Sequence, residues 1–188
     1  MKQNTVTGIA LVAAFAALII ALGAVSIPVG AAGVPIVLQN MGILLAAFIL
    51  GWKRGALAIV TVLVLGLVGI PVLAGWRTTL SALPGPTTGY LVGYILAAVV
   101  AGLISATAIG RSKPIQITVF IAAGLLAAIV QYFCGAVWLT FRFDMGFWQA
   151  FWFTNLPFAL GDTLKAVAAA LTAVAVLAAV PDLRTPKN

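Results

Sequence analysis

The sequence contains no histidine and no glutamate, and its only charged residues are ten lysines and arginines and three aspartates. A soluble domain carries about 25% charged residues, whereas this chain of 188 residues carries 7%, and 64% of it is hydrophobic. So few charged side chains cannot cover the surface of a water-soluble globule of this size. The composition therefore predicts a protein that is embedded in a lipid bilayer.

The same shortages restrict the chemistry. One cysteine and no histidine exclude an intrachain disulfide and give no set of metal ligands. No phosphate-binding loop of the form Gly-x-x-x-x-Gly-Lys-[Ser/Thr] is present, so the chain is not expected to hydrolyse ATP. An intramembrane enzyme needs a nucleophile with a base, or paired acids, and Ser81, Cys134 and three separated aspartates supply neither. We expect no catalytic residue, no metal and no cofactor.

Apolar runs define the predicted topology. A membrane-spanning helix needs roughly 20 consecutive apolar residues, and six runs of that order are bounded by charged residues, proline or glycine. They cover residues 8–27, 36–52, 55–74, 88–108, 115–139 and 158–180. The sequence therefore predicts an all-α membrane protein in which residues 1–188 form a single six-helix transmembrane domain.

Basic residues predict the orientation of this domain, because cytoplasmic loops carry an excess of lysine and arginine. Counted at alternate ends of the six helices, one side has Lys2, Lys53, Arg54, Arg111, Lys113, Arg184 and Lys187. The other side has Arg77 and Arg142, and Lys165 lies within the last helix. Both termini are therefore predicted to be cytoplasmic. Because these basic residues are scattered rather than clustered, no nucleic-acid partner is expected.

Asp162 and Lys165 lie inside an apolar run, where ionisable side chains are expensive and usually functional. At i and i+3 they share one face of the predicted helix. The helix dipole and snorkelling of the lysine offer a purely structural explanation, but we favour a role in ligand binding. Further polar candidates on the outer side are Gln39, Arg77, Thr87, Thr88, Tyr90 and Asn155, with Gln131 as a weaker member. Together they predict a pocket for a small ligand with N–H donors and an anionic end.

Two other features have more than one interpretation. The first helix carries a face of small residues, formed by Ala10, Ala13, Ala14, Ala17 and Ala21. Such a face permits close helix packing, and its spacing alone favours packing within the chain over docking to a partner protein. The segment 140–157 is predicted to be an outer loop and is rich in aromatic residues. It is typical of an interfacial aromatic belt and is also compatible with a lid over a ligand.

Four segments occur in an order that resembles the BioY family, the biotin-specific substrate-binding (S) components of energy-coupling factor (ECF) transporters. They are VPIVLQNMG at 34–42, GLVGIPVLAG at 66–75, GPTTGYLVG at 85–93 and GDTLK at 161–165. The resemblance covers nearly the whole chain. One departure is that Pro157 lies further before Gly161 than is common in the family, which bears on the shape of the outer loop.

The resemblance implies six helices in a bacterial cytoplasmic membrane, with a high-affinity biotin pocket facing outwards. It further implies that a transmembrane coupling protein (the T component) and two ATPase subunits are the partners, and that the alanine face of the first helix docks onto the coupling protein. Asp162 would accept hydrogen bonds from the ureido N–H groups of biotin, and Lys165 would donate to a ligand oxygen. Gln39, Asn155 and Tyr90 would complete the polar set. An S component for another small vitamin, or a self-sufficient facilitator, remains the alternative.

Overall fold

Long α-helices make up most of the protein, as a computed structural model describes it for residues 5–27 and 36–184. The helices are α1 Thr5–Ala24, α2 Gln39–Leu67, α3 Thr79–Ala82, α4 Thr88–Ala106, α5 Lys113–Phe143 and α6 Phe147–Ala179, followed by a 3₁₀ turn at Pro181–Leu183. Two-residue strands, β1 Ser26–Ile27 and β2 Ile36–Val37, pair antiparallel between α1 and α2. Five helices in the described ranges are long and apolar enough to cross a membrane. The predicted all-α membrane architecture is confirmed.

Helix α2 contains two of the six predicted helices. Gly51 interrupts it with φ 79° and ψ 173°, a conformation that glycine adopts without the steric cost that a Cβ would impose. The chain turns back there. Gly55 then lies so close to the first arm that a Cβ placed on it would be only 2.9 Å from the Cα atom of Ala47. The predicted helices 36–52 and 55–74 therefore correspond to the two arms of α2. The second arm ends at Leu67, earlier than predicted.

The segment 140–157 is mostly helical and not the predicted long loop. Helix α5 continues to Phe143, and α6 begins at Phe147 rather than at residue 158. Only a short turn separates them, in which Asp144 takes a left-handed φ of 54°. A helix satisfies its own backbone hydrogen bonds, which favours helical continuation through an apolar segment in a membrane. Pro157 precedes the predicted helix 158–180, but it lies inside α6.

Small residues set the packing distance between α4 and α5. A Cβ on Gly89 would lie 2.3 Å from the Cys134 carbonyl oxygen, and one on Gly93 would lie 2.9 Å from the Cα atom of Gln131. No larger residue fits at either position without moving the neighbouring helix. Buried alanines continue the same ridge at Ala97 and Ala101. Close backbone approach through small residues is the usual way in which membrane helices associate.

The alanine face of α1 is exposed, which contradicts the packing role favoured by its spacing. Ala10, Ala13, Ala14, Ala17 and Ala21 are all exposed. Instead, α1 packs through Ala16, Ile19 and Gly23, which are buried. Ile19 lies so close to Gly42 of α2 that a Cβ there would be 3.1 Å from its Cα atom. Spacing alone could not distinguish the two faces, because small residues occur on both.

Arg184 holds two helix ends together at the far end of the bundle. Its guanidinium donates to the Phe48 carbonyl oxygen in the first arm of α2. In α4 it donates to the Gly102 carbonyl oxygen (2.8 Å) and to the Ser105 hydroxyl (3.0 Å). Cations that bond the last carbonyl groups of helices are favoured by the helix dipole. Burial lowers the pKa of Arg184 to about 10, so this side chain keeps its charge at neutral pH.

Candidate functional site

A cavity of about 460 Å³ lies at the opposite end of α4 from Arg184. Its walls come from the start of α2, the turn at 73–77, the start of α4, the end of α5 and the middle of α6. Seven of the nine predicted polar candidates line it: Gln39, Arg77, Thr87, Tyr90, Gln131, Asp162 and Lys165. The structure thus brings together residues that are up to 126 positions apart in the sequence, from 39 to 165.

Asp162 and Lys165 form a buried ion pair on one face of α6, as predicted from their spacing. The Lys165 Nζ atom lies 2.6 Å from Asp162 Oδ1. Tyr132 donates its hydroxyl to Asp162 Oδ2 at 2.5 Å, and Asn40 Nδ2 lies 3.5 Å from Oδ1. Lys165 also donates to the Val37 carbonyl oxygen at 3.1 Å. Both charges are therefore compensated by polar groups from other elements, as burial of an ion pair requires.

Gln39 lines the cavity, but both ends of its amide bond the protein itself. Its Nε2 donates to the Val72 carbonyl oxygen at 2.9 Å, and its Oε1 accepts from the backbone N–H of Ala74 at 3.3 Å. The side chain is almost fully buried, with 2% exposure. Gln39 therefore fixes the turn that follows α2 and places Arg77 at the cavity.

Arg77 brings an uncompensated positive charge to the cavity wall. It lies on a tight turn closed by a hydrogen bond from the Leu73 N–H to the Arg77 carbonyl oxygen, with positive φ angles at Gly75 and Trp76. Within the described residues its side chain has one acceptor, the Ala74 carbonyl oxygen, 3.4 Å from Nε. A guanidinium binds carboxylates through paired N–H donors. This turn therefore suits an anionic group of a ligand.

Tyr90 is held rigidly between α5 and α6. Its hydroxyl donates to Asn155 Oδ1 at 2.7 Å and lies 3.0 Å from the Thr154 hydroxyl. Its ring lies against Gly135, where a Cβ would come within 2.2 Å of the ring carbon Cζ. Asn155 was predicted to bind substrate, but it is not a lining residue of the cavity and is 2% exposed. Asn155 instead holds the Tyr90 hydroxyl in place from outside the cavity wall.

Thr87 contributes a hydroxyl without a partner. Its Oγ1 atom is buried and has no hydrogen-bond partner among the described residues, although the residue lines the cavity. A buried polar group left unpaired costs free energy, which a bound ligand recovers by supplying the partner. The neighbouring Thr88 donates instead to the Leu83 carbonyl oxygen at 2.7 Å and holds the preceding loop.

Several lining residues were missing from the predicted binding set. They are Asn40, Tyr94, Tyr132, Thr154 and Phe158. Asn40 directly follows Gln39, and Tyr132 directly follows Gln131 in an apolar run, so a polar-residue signal existed for both. Tyr94 and Phe158 carry no such signal, because aromatic residues in membrane helices are ordinary.

The aromatic cluster at the start of α6 lies beside the cavity rather than over it. Phe147, Trp148, Phe151 and Trp152 pack against one another, mostly edge to face, with centroid distances from 5.2 to 6.3 Å, and Phe133 joins them from α5. Trp148 and Trp152 are exposed. Among the described side chains, none of these five aromatics lines the cavity. The arrangement favours an interfacial aromatic belt over a lid that covers a ligand.

Comparisons with known proteins agree with this architecture. The chain is 40% identical over 146 residues to the biotin transporter BioY of Rhizobium etli, covering 76% of this chain and 78% of that protein. It is 41% identical over 176 residues to the biotin transporter BioY of Rhodobacter capsulatus, covering 88% and 90%. A crystal structure of the S-component for biotin from an ECF-type ABC transporter matches with a TM-score of 0.78 and 29% identity, over 94% of this chain and 93% of that chain. The BioY family model matches residues 1–182, and the chain therefore belongs to the BioY family.

Proposed function

We propose that this protein captures biotin in the cavity and serves as the biotin-binding subunit of an ECF-type transporter. The buried Asp162–Lys165 pair in the cavity wall carries the proposal, because it presents an acceptor and a donor inside an apolar enclosure. The cavity volume of about 460 Å³ falls within the range of about 300–1,000 Å³ found for small-molecule sites. The relatives named above support biotin as the ligand.

The polar groups of biotin match those of the cavity. Biotin carries two ureido N–H donors, a ureido carbonyl, a thioether and a carboxylate. Asp162 accepts from the ureido N–H groups and Lys165 donates to a ligand oxygen, while the uncompensated guanidinium of Arg77 binds the carboxylate. The apolar walls, which include Leu91, Leu139 and Phe158, enclose the ring and the aliphatic chain.

Calorimetric titration of the detergent-purified protein tests the proposal. Biotin is expected to bind saturably at one site per chain. Biotin methyl ester, which lacks the negative charge, is expected to bind at least about tenfold more weakly, because it loses a charge-assisted hydrogen bond worth about 1.5–3 kcal/mol. Absence of saturable biotin binding by a folded sample would falsify the assignment. Equal affinities for biotin and its ester would remove the role given to Arg77.

The partners follow from the absence of a nucleotide site in the sequence and from the exposed face of α1. Uptake against a gradient needs energy, which a T component and two ATPase subunits supply in this proposal. The exposed alanines Ala10, Ala13, Ala14, Ala17 and Ala21 form the docking surface for the T component. Small side chains there allow a partner helix to approach closely.

A bulky substitution on this surface tests the docking. Ala13→Trp is expected to abolish co-purification with the co-expressed T component and ATPase subunits while leaving biotin affinity unchanged. Ala122→Trp, at an exposed alanine of α5, is the matched control and should assemble normally. Normal assembly of Ala13→Trp would exclude this surface, and lost biotin binding would mean that Ala13 packs within the fold.

The proposed location is the bacterial cytoplasmic membrane, with both termini in the cytoplasm and the cavity facing outwards. Its support is the distribution of basic residues, seven on one side and two on the other in the predicted topology. Labelling of single cysteines with a membrane-impermeant reagent in intact cells tests this orientation, in a background in which Cys134 is replaced. A cysteine at Trp76 should react, whereas one at Arg111 should not.

A further inference from the structure

Gln131 carries a buried side-chain amide in the wall of the cavity. It lies on α5 one residue before Tyr132, and 4% of its surface is exposed. Its backbone is fixed, because α4 approaches so closely that a Cβ on Gly93 would lie 2.9 Å from the Gln131 Cα atom. Within the described part of the chain, no hydrogen bond joins the Gln131 side-chain amide to another residue. A buried amide of this kind needs a polar partner.

A second, much smaller chamber adjoins the ion pair. It has a volume of about 10 Å³ and is lined by Asn40, Leu44, Gly124, Ala128, Gln131, Asp162 and Lys165. Four of these, the two amides and the two charged residues, also line the large cavity. Besides Gln131, α5 contributes only the small residues Gly124 and Ala128 to its wall, and a Cβ on Gly124 would lie 2.9 Å from the Ala166 Cβ atom.

Size and lining together indicate what this chamber takes. About 10–15 Å³ is the space that a single water molecule needs, and a buried water is retained where it finds two to four polar partners. Four polar side chains line this chamber. A cation is disfavoured there by the Lys165 ammonium. A single water satisfies the free amide of Gln131 at little cost.

We propose that the small chamber binds one ordered water, which joins Gln131 to the Asp162–Lys165 pair, and that Gln131 thereby acts as a positioning residue for ligand recognition. The water supplies Gln131 with its missing partner and restrains the Asp162 carboxylate in the orientation that it presents to the cavity. The consequence for affinity rests on the proposed biotin-binding function, whereas the water site itself does not.

Substitutions on one helix separate this role from general packing. Gln131→Leu, which removes the amide, is expected to weaken biotin binding about tenfold, as is Ala128→Val, which fills the chamber. Gln116→Leu and Ala122→Val are matched controls on α5, because Gln116 is half-buried near the start of the helix, Ala122 is exposed and neither lines a cavity, and both should bind like the parent protein. In an Asp162→Asn background, Gln131→Leu should lose most of its effect, because both changes break the same network. A full additional tenfold loss in that background would mean that Gln131 acts independently and would overturn the positioning role.

A crystal structure of the protein at about 2 Å resolution tests the water directly and does not depend on the ligand. Electron density for one water within hydrogen-bond distance of Gln131 and Asp162 is expected, and it should be absent from Ala128→Val. No such density in the parent protein, or a Gln131 amide bonded to another side chain, would refute the water site. Failure to bind biotin with the water present would refute the proposed function alone.

Discussion

Lys165 and Arg184 are two cations held inside the same bundle, but at its opposite ends and with different partners. Lys165 is paired with the Asp162 carboxylate and lines a large cavity. Arg184 bonds to backbone carbonyl oxygens and a serine hydroxyl, and it lies 6.0 Å from the ring centroid of Phe120. Phe120 in turn stacks on Phe48 with a centroid distance of 4.8 Å, so this end is filled.

On the proposed function, the difference separates a binding role for Lys165 from a structural role for Arg184. The donors and acceptors of the ion pair border the open cavity. A ligand there exchanges hydrogen bonds with them at little cost in free energy. The arginine uses its donors on helix ends and lies in a packed region, so its contribution is to stability. A buried charge therefore indicates function only when a cavity accompanies it. The predictions below test that distinction, from the largest expected effect on biotin affinity to the smallest.

Asp162→Asn is expected to weaken biotin binding on the order of 100-fold, because it leaves the buried Lys165 without its carboxylate and removes the acceptor for the ligand. Calorimetry of the purified variant measures the change. Asp144→Asn is the control, since Asp144 is exposed in the turn between α5 and α6. Similar losses of biotin affinity in both variants would indicate a general effect of removing a negative charge. The contrast between Lys165 and Arg184 would then fail.

Gly135→Ala is expected to weaken biotin binding about tenfold, because the added Cβ overlaps the Tyr90 ring and overpacking costs about 1–3 kcal/mol. The hydrogen bonds from Tyr90 to Asn155 and Thr154 would then be strained. The matched control is Gly146→Ala, where the nearest atom to the added Cβ lies 4.0 Å away. Parent-like affinity in Gly135→Ala would show that the position of Tyr90 is irrelevant to the ligand.

Arg184→Ala is expected to change biotin affinity by less than about twofold while lowering the thermal unfolding midpoint by about 5 °C. It removes three hydrogen bonds that join two helix ends but touches no cavity residue. Tryptophan fluorescence on heating, with and without biotin, measures both quantities. Arg142→Ala, at an exposed residue of α5, should leave the midpoint unchanged. A large loss of biotin affinity in Arg184→Ala would mean that the Arg184 end of the bundle is energetically coupled to the cavity end.

The hydrophobic runs predicted the helices well, because the bilayer imposes a minimum length on each apolar span. Their ends were predicted less well. The start of α6 at Phe147 was missed because the aromatic segment 140–157 was predicted to be an outer loop, although such a segment in a membrane is most stable as a helix. Spacing alone favoured the wrong face of α1 for packing, because which small face packs depends on the neighbouring helix, whereas the family resemblance implied that this face docks onto a partner.

Most of the cavity was predictable, since polar residues in apolar runs are rare enough to stand out. Asp162 and Lys165 were identified from composition and spacing alone. The sequence could not reveal which hydrogen bonds the polar side chains form within the protein. Gln39 holds a turn and Asn155 holds Tyr90, although both were expected to touch the ligand. Those roles depend on contacts across 33 and 65 positions of the chain.

The contact between Asn40 and Asp162 spans 122 positions and has a consequence for biogenesis. During synthesis α2 enters the membrane long before α6 has been made, so Asn40 must wait there without its acidic partner. The carboxylate and ammonium arrive together on one helix and neutralise each other locally, which eases insertion of that last span. Final docking of α6 then completes the cavity, so the appearance of ligand binding during translation reports the last folding step.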